Sequence, residues 1–342
     1  MKFTYAVGCD VGKLSFHYCI LKPSGQRIYE SMMNNDQDSI QGFIEQIKSL
    51  LSLDSLSDCL LCMEYTGIYT NWLAQLWLAQ GGQLSIVPAQ KISSLIAGDQ
   101  GWDEKNDCLD ARRIAEYCIR FSDKLRPYQL KKRSLEQIEL LQRQRQRLLN
   151  AVNMLEIPVK EAKGFVEDQQ VDLLNEHQKE SVNALRADLK KIEQRLKAII
   201  EQDEELSILF EQISSVQGVG PVTAREILIA TQGFTKFKPS QAKAFARYAG
   251  VTPREWSSGK SVRKRSPNSK RANQRIKALL TQGARSVAAT NGELGIYYQR
   301  KRAEGKPFLS VINALRNKII LRVFAVVRNQ VMYEKNLNIC LD

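Results

Sequence analysis

The spacing of apolar residues changes along the chain, and each change predicts a different architecture. Residues 3 to 31 alternate in short β-rich runs, FTYAVGCDVG, SFHYCILK and QRIYES, broken at Gly12 and at Pro23-Ser24-Gly25. A period of two interrupted by turn residues predicts consecutive antiparallel strands. A helical period follows from 36 to 52, and then DCLLCMEYTG reads as a buried strand ending in Glu64 and Gly67. A helix near 69 to 80 and a strand QLSIVP at 83 to 88 complete this part. Strands alternating with helices predict an α/β sheet with helices on its faces.

From 131 to 205 the pattern turns into long helices rich in Gln, Arg, Glu and Lys. Leu185, Leu189, Ile192, Leu196 and Ile199 follow a 4-3-4 spacing, and Ile138, Leu141, Leu148, Val152 and Leu155 fit the same register with Arg145 interrupting it. Pro158 and Gly164 fall between the two helices, which predicts an antiparallel hairpin or a coiled coil used for self-association. The next stretch, SSVQGVGPVTAREILIA at 214 to 230, carries closely spaced glycines entering a helix. Such a turn can direct backbone amides at a phosphate and resembles a helix-hairpin-helix element. AKAFARYAGVTP, a basic strip and helical patterns near 270 to 288 and 308 to 331 follow. Three meander strands leading into βαβ units is the order of a ribonuclease-H-like domain. The expected organisation is therefore such a domain at 1–128, a helical hairpin or coiled coil at 129–206, and a mainly α carboxy-terminal domain at 207–342.

Charge sharpens this division. The net charge is +13. Residues 1 to 110 hold 7 Lys/Arg against 13 Asp/Glu, 111 to 233 hold 20 against 19, and 234 to 333 hold 22 against 3. A basic excess confined to the last hundred residues points to a polyanionic partner there, nucleic acid before an anionic membrane surface. No apolar run is long enough to span a membrane, and Asp10 interrupts the amino-terminal apolar stretch where a secretory signal would continue, so a cytoplasmic location is expected. The 7 cysteines do not read as a disulfide framework, and Cys59 and Cys62 lack a second pair or a nearby His for zinc. They read as small buried hydrophobes.

Candidate chemistry rests on carboxylates. Asp10 in VGCDVGK sits on an apolar strand, where an ionised group needs a cation or a donor. The same Gly-x-Asp-x-Gly sequence occurs in phosphate loops of kinase-like ATPases, although no second Gly-rich loop accompanies it here. Glu64 ends the strand LLCME and would share a metal with Asp10 if the strands are neighbours; by itself it is equally an exposed strand end. Asp107 and Asp110, three apart at the head of a helix in EKNDCLDARRIAEY, fall on one face, or simply favour the helix dipole. Asp99, Asp103 and Glu104 lie close by. The order Asp, Glu, Asp, Asp on a first strand, a later strand and a following helix matches a set that binds two Mg²⁺ for phosphoryl transfer. His17 and His177 are the only histidines, which leaves little material for imidazole acid–base chemistry.

The motifs VGCDVGK, CMEYTG, KNDCLDARRIA, VQGVGPVTA and AGVTPREWSSGKSVRKRSPNSK occur in this order across almost the whole chain. In this the chain resembles the insertion-sequence recombinases that join a RuvC-like DEDD domain to a carboxy-terminal serine domain. That family includes the Piv pilin-gene invertases and the transposases guided by a bridge RNA. The resemblance implies a metal-binding tetrad of Asp10, Glu64, Asp107 and Asp110 and a nucleophilic serine at Ser258, with Ser257 and Ser261 adjacent. It also implies DNA as substrate and a non-coding guide RNA as a further partner. Relatives read Lys-Thr-Asp before the helix where this chain has Lys105-Asn106-Asp107.

A serine hydroxyl needs activation, and the strip around Ser258 supplies only cations. Arg254, Lys260, Arg263, Lys264 and Arg265 can hold a phosphate and stabilise a pentacoordinate transition state, and Lys270, Arg271, Arg275 and Lys277 extend the charge along a helix. Trp256 is placed to stack on a base or to pack in the core. The resemblance implies a composite site in which Ser258 meets the metal-bound tetrad, of its own chain or of another subunit, and a homodimer or tetramer is expected. Two other functions fit the residues: a metal-dependent Holliday-junction nuclease without a covalent intermediate, and a non-catalytic nucleic-acid-binding protein.

Overall fold

The computed structural model describes residues 2–88, 91–92, 106–252 and 272–333, with the backbone alone at 257–258 and 262–263. The chain divides into two compact units, Met1–Leu130 and Lys131–Asp342.

The first unit is built on a five-stranded sheet of order β3-β2-β1-β4-β5. Its strands are β1 (Tyr5–Val11), β2 (Ser15–Leu21), β3 (Arg27–Asn34), β4 (Cys59–Glu64) and β5 (Gln83–Val87). The first three pair antiparallel, as the turn residues predict, whereas β4 lies parallel to β1 and β5 parallel to β4. Alternation along β1 sends Val7, Cys9 and Val11 to one face. There they pack against Ile40, Phe43, Ile44 and Ile47 of α1 (Gln37–Leu51) and Leu73 and Trp77 of α2 (Asn71–Ala79). Asp36 caps α1 by accepting from the Ser39 amide at 2.8 Å, which fixes where that helix begins.

The opposite face carries Ala6, Cys19, Leu21, Leu60 and Cys62 and is covered by α3 (Asp107–Arg120). Gly8 makes this packing close: a Cβ there would lie 2.2 Å from the Ala111 carbonyl oxygen and 2.3 Å from the Ala115 nitrogen. A disulfide joins Cys62 on β4 to Cys118 on α3, across a Cα separation of 6.3 Å. This corrects the expectation that no cysteines pair. The partners lie 56 positions apart and meet only because α3 folds back over β4. Cys9, Cys19 and Cys59 are buried thiols, as expected for small hydrophobes, and burial raises all three.

In the second unit, α4 (Arg133–Ala162) and α5 (Asp168–Glu201) run antiparallel against each other, with ion pairs Arg145–Glu193 and Arg186–Glu156 across them. Pro158 lies inside α4 rather than in the turn, which is formed instead around Gly164 at φ +84°. A proline forfeits the hydrogen bond to the residue four before it, here Met154, and α4 runs on only to Ala162. Buried Arg225 on α7 (Pro221–Thr231) fastens the hairpin to the rest, donating to Gln142 at 3.1 Å and pairing with Glu193 at 2.9 Å.

Between α6 (Glu204–Ser215) and α7 the chain turns through Gly218 at φ +89°, and the turn packs against Gly283, where a Cβ would stand 2.0 Å from the Gly218 oxygen. The remaining helices are α8 (Ala242–Tyr248), α9 (Gln274–Ala288), α10 (Glu293–Ala303) and α11 (Phe308–Asn329). The core centres on α11, through Ile312, Leu315, Ile319, Val323 and Phe324. Among the described residues no helix is long and apolar enough to cross a membrane.

Candidate functional site

The carboxylates gather at the carboxy-terminal ends of two central strands. Asp10 sits next to last on β1, and Glu64 is the final residue of β4. Because Cys9 pairs with Met63 in parallel register, Asp10 and Glu64 are the next positions along neighbouring strands and share the face that α3 covers. The close approach at Gly8 then brings the first turn of α3, with Asp107 and Asp110, to those strand ends.

The charges of these acids act on one another. Glu64 is half-buried, and its carboxyl is pushed above the ordinary range first by burial and then by the charges of Asp10 and Asp110. Asp110 is itself engaged by Arg113 at 3.1 Å. Asp107, more exposed, faces His17, whose Nδ1 stands 3.8 Å from its carboxylate. His17 is the register partner of Asp10 across the β1–β2 hairpin, so an imidazole borders the acids on the side away from Glu64. Sequence reasoning set this histidine aside. The signal was available: Asp10 and His17 straddle the Gly12 turn and therefore face the same way in an antiparallel hairpin.

Asn106 caps α3: its side chain accepts from the Cys108 amide at 3.1 Å, which fixes the helix start in front of Asp107. Asn35 was also missed: it donates to the carbonyl oxygens of Gly12 at 2.8 Å and Tyr69 at 3.0 Å, tying the hairpin turn to the segment after Glu64.

The donor set is all oxygen apart from His17, and a cation would relieve the repulsion that raises Glu64, which suits a hard divalent ion. Among the described residues no group of three or more Asp, Glu, Cys or His is already at ligating spacing. The side chains would have to turn toward an ion from where they stand. Asp99, Asp103 and Glu104 lie outside the described residues.

In the second unit, Ser257 and Ser258 form β6 and Val262 and Arg263 form β7, a two-stranded antiparallel ladder in which Ser258 pairs with Val262. Ser258 is thus the last residue of β6. The stems of this excursion are held together: a Cβ on Gly250, at φ +67°, would lie 2.4 Å from the Ala272 Cβ, and the Asn273 amide donates to the Tyr248 oxygen at 3.0 Å. Arg254, Trp256, Lys260, Ser261, Lys264, Arg265, Lys270 and Arg271 lie outside the described residues. Arg275, on the first turn of α9, is paired with Glu226 of α7.

Comparison with known proteins covers both units. Residues 7–160 match a family profile for the DEDD transposase of IS110, described as a transposase, and residues 210–299 match the transposase family IS116/IS110/IS902. The chain is 24% identical over 343 aligned positions to the pilin gene-inverting protein of Moraxella lacunata, covering 99% of this chain and 100% of that protein. The pilin gene-inverting protein of Moraxella bovis is similar at the same identity and coverage.

Proposed function

The chain belongs to the IS110/Piv family of transposases, and from that premise we propose that it cleaves and exchanges DNA strands through a covalent phosphoserine intermediate. The observation that carries this reading is the gathering of Asp10, Glu64 and Asp110 closely enough for the first and third to raise the second, with Asp107 on the same helix turn. Carboxylates crowded in this way are costly to a fold and are kept where a cation is used. Two Mg²⁺ ions, when bound, would offset the charge of the phosphoryl group in transfer.

Ser258 Oγ bonds to phosphorus, the bond from phosphorus to the departing sugar oxygen breaks, and the serine proton ends on that oxygen. The phosphodiester energy is retained in the serine ester, so rejoining needs no ATP. Arg254, Lys260, Arg263, Lys264, Arg265, Lys270 and Arg271 hold and orient the backbone, and Arg275 joins them if it leaves Glu226. Neither set of residues suffices by itself, because cations cannot take the serine proton efficiently. In this reading the acids and the serine act together, within one chain or across the subunits of a homodimer or tetramer. The two Moraxella relatives are named for inverting a gene, a reaction that also requires paired cleavage and rejoining. A non-coding guide RNA, as in the bridge-RNA-guided members of the family, completes the proposed partners.

A suicide DNA substrate tests the chemistry. Wild-type protein with Mg²⁺ traps a protein–DNA adduct; Ser258→Ala forms none, and Asp10→Asn binds DNA without cutting it. Free cleaved ends from Ser258→Ala, with no adduct from wild type, would favour the Holliday-junction nuclease instead.

A further inference from the structure

Buried arginines in the second unit are answered by carboxylates, with one exception. Arg225 meets Glu193, and Arg322 on α11 meets Glu293. Arg316, also on α11, keeps 8% of its surface and has no carboxylate beside it among the described residues. Its Nη1 donates to Asn313 Oδ1 at 3.3 Å, and its Nε has no partner. Burial and then the neighbouring charge of Arg285 hold its pKa below the ordinary value. A buried guanidinium with no carboxylate beside it among the described residues, and with the charge of Arg285 acting on it as well, lacks its counter-ion.

The surroundings indicate what that counter-ion is. Arg285 is exposed on the last turn of α9, with its guanidinium 5.9 Å from the Phe308 ring, so the pair is approached from solvent on that side. Asn313, which positions Arg316, also donates to the Val251 oxygen at 2.6 Å, immediately before the basic strip departs. We propose that Arg285 and Arg316 together hold one phosphodiester group of a bound polynucleotide at the foot of the segment that carries Ser258. Planar guanidinium groups match the paired oxygens of a phosphate, and two of them around one group supply the missing negative charge. The inference rests on nucleic acid being the substrate, but not on the cleavage chemistry.

Full-length Arg316→Gln, Arg285→Gln and the double variant are titrated across a salt series against a duplex DNA and a hairpin RNA, each of arbitrary sequence. On the polymer that occupies the site, each single variant binds roughly threefold to tenfold more weakly, and the slope of log K against log salt becomes shallower by about 0.9 for duplex DNA. The double variant flattens the slope no further, because both arginines serve one phosphate. Comparing the two polymers assigns the site to DNA, RNA or both. Without nucleic acid, Arg316→Gln melts no lower than wild type, since the arginine has no ion-pair partner to give up; should it not fold, exposed Arg285→Gln carries the test. Unchanged slopes on both polymers overturn the proposal. So does a fall in Tm for Arg316→Gln that Glu255→Gln reproduces, which would assign the counter-charge to an acid of the strip itself. A wild type that fails to form the serine adduct sinks the recombinase reading and leaves this inference standing, whereas unchanged slopes beside normal cleavage sink this inference only.

Discussion

Glu64 concentrates the electrostatic cost of the site. Its folded-state pKa lies above the ordinary carboxylate value, through burial and then through Asp10 and Asp110. The folded protein therefore binds more protons than the unfolded chain between the two values, and stability present below the ordinary carboxylate range is lost as pH rises through the folded pKa. In chelator at neutral pH, Glu64→Gln should melt higher than wild type, and that advantage should vanish as pH falls below about 4. Adding Mg²⁺ should raise the wild-type Tm more than that of the variant, because an ion that binds only the folded state stabilises it. Calorimetry across pH checks both. A variant that is less stable than wild type at neutral pH in chelator would remove the case for carboxylate crowding. The order of the carboxylates was legible in the sequence; His17 was passed over, although its place across the Gly12 turn from Asp10 sets it beside them.

At the scale of elements, α3 lies close on the sheet because β1 lacks a side chain where the helix crosses it. Gly8→Ala places a methyl group 2.2 Å from the Ala111 oxygen and 2.3 Å from the Ala115 nitrogen, both backbone atoms that cannot swing aside. The expected cost is about 1–3 kcal/mol, and α3 would shift away from β1, so strand cleavage should fall further than stability alone explains. Gly42→Ala is the control: Gly42 lies within α1 with nothing near its Cβ position, so alanine should stabilise by up to about 1 kcal/mol. Thermal denaturation of both variants tests the contrast, and equal effects would refute it. These elements were largely legible beforehand, since α1, β4, β5 and α11 follow from uninterrupted apolar periods. What escaped was contact between distant segments. Nothing in the local sequence tells Cys62 that Cys118 will cover it, and a proline that ends a helix in isolation can sit inside one close to its end, as Pro158 does.

Over the whole molecule, charge and chemistry are divided between the units. The acids that gather around Glu64 belong to residues 1–130, and the cationic excess of 22 against 3 belongs to residues 234–333. Affinity for a polyanion and the capacity to cut it should therefore be separable by substitution. Replacing Arg263, Lys264 and Arg265 with Gln should flatten the salt dependence of duplex DNA binding by about 0.9 for each phosphate that is no longer neutralised. Asp10→Asn should leave that slope unchanged while abolishing cleavage. Equilibrium titration at several ionic strengths, run beside a cleavage assay, distinguishes the two classes of variant. If removing a carboxylate from the first unit changed the slope as much as removing three cations from the second, the DNA would be gripped by both units. The strip around Ser258 would then have to be treated as one part of a shared binding surface, and its serine as a residue delivered to DNA that the other unit already holds.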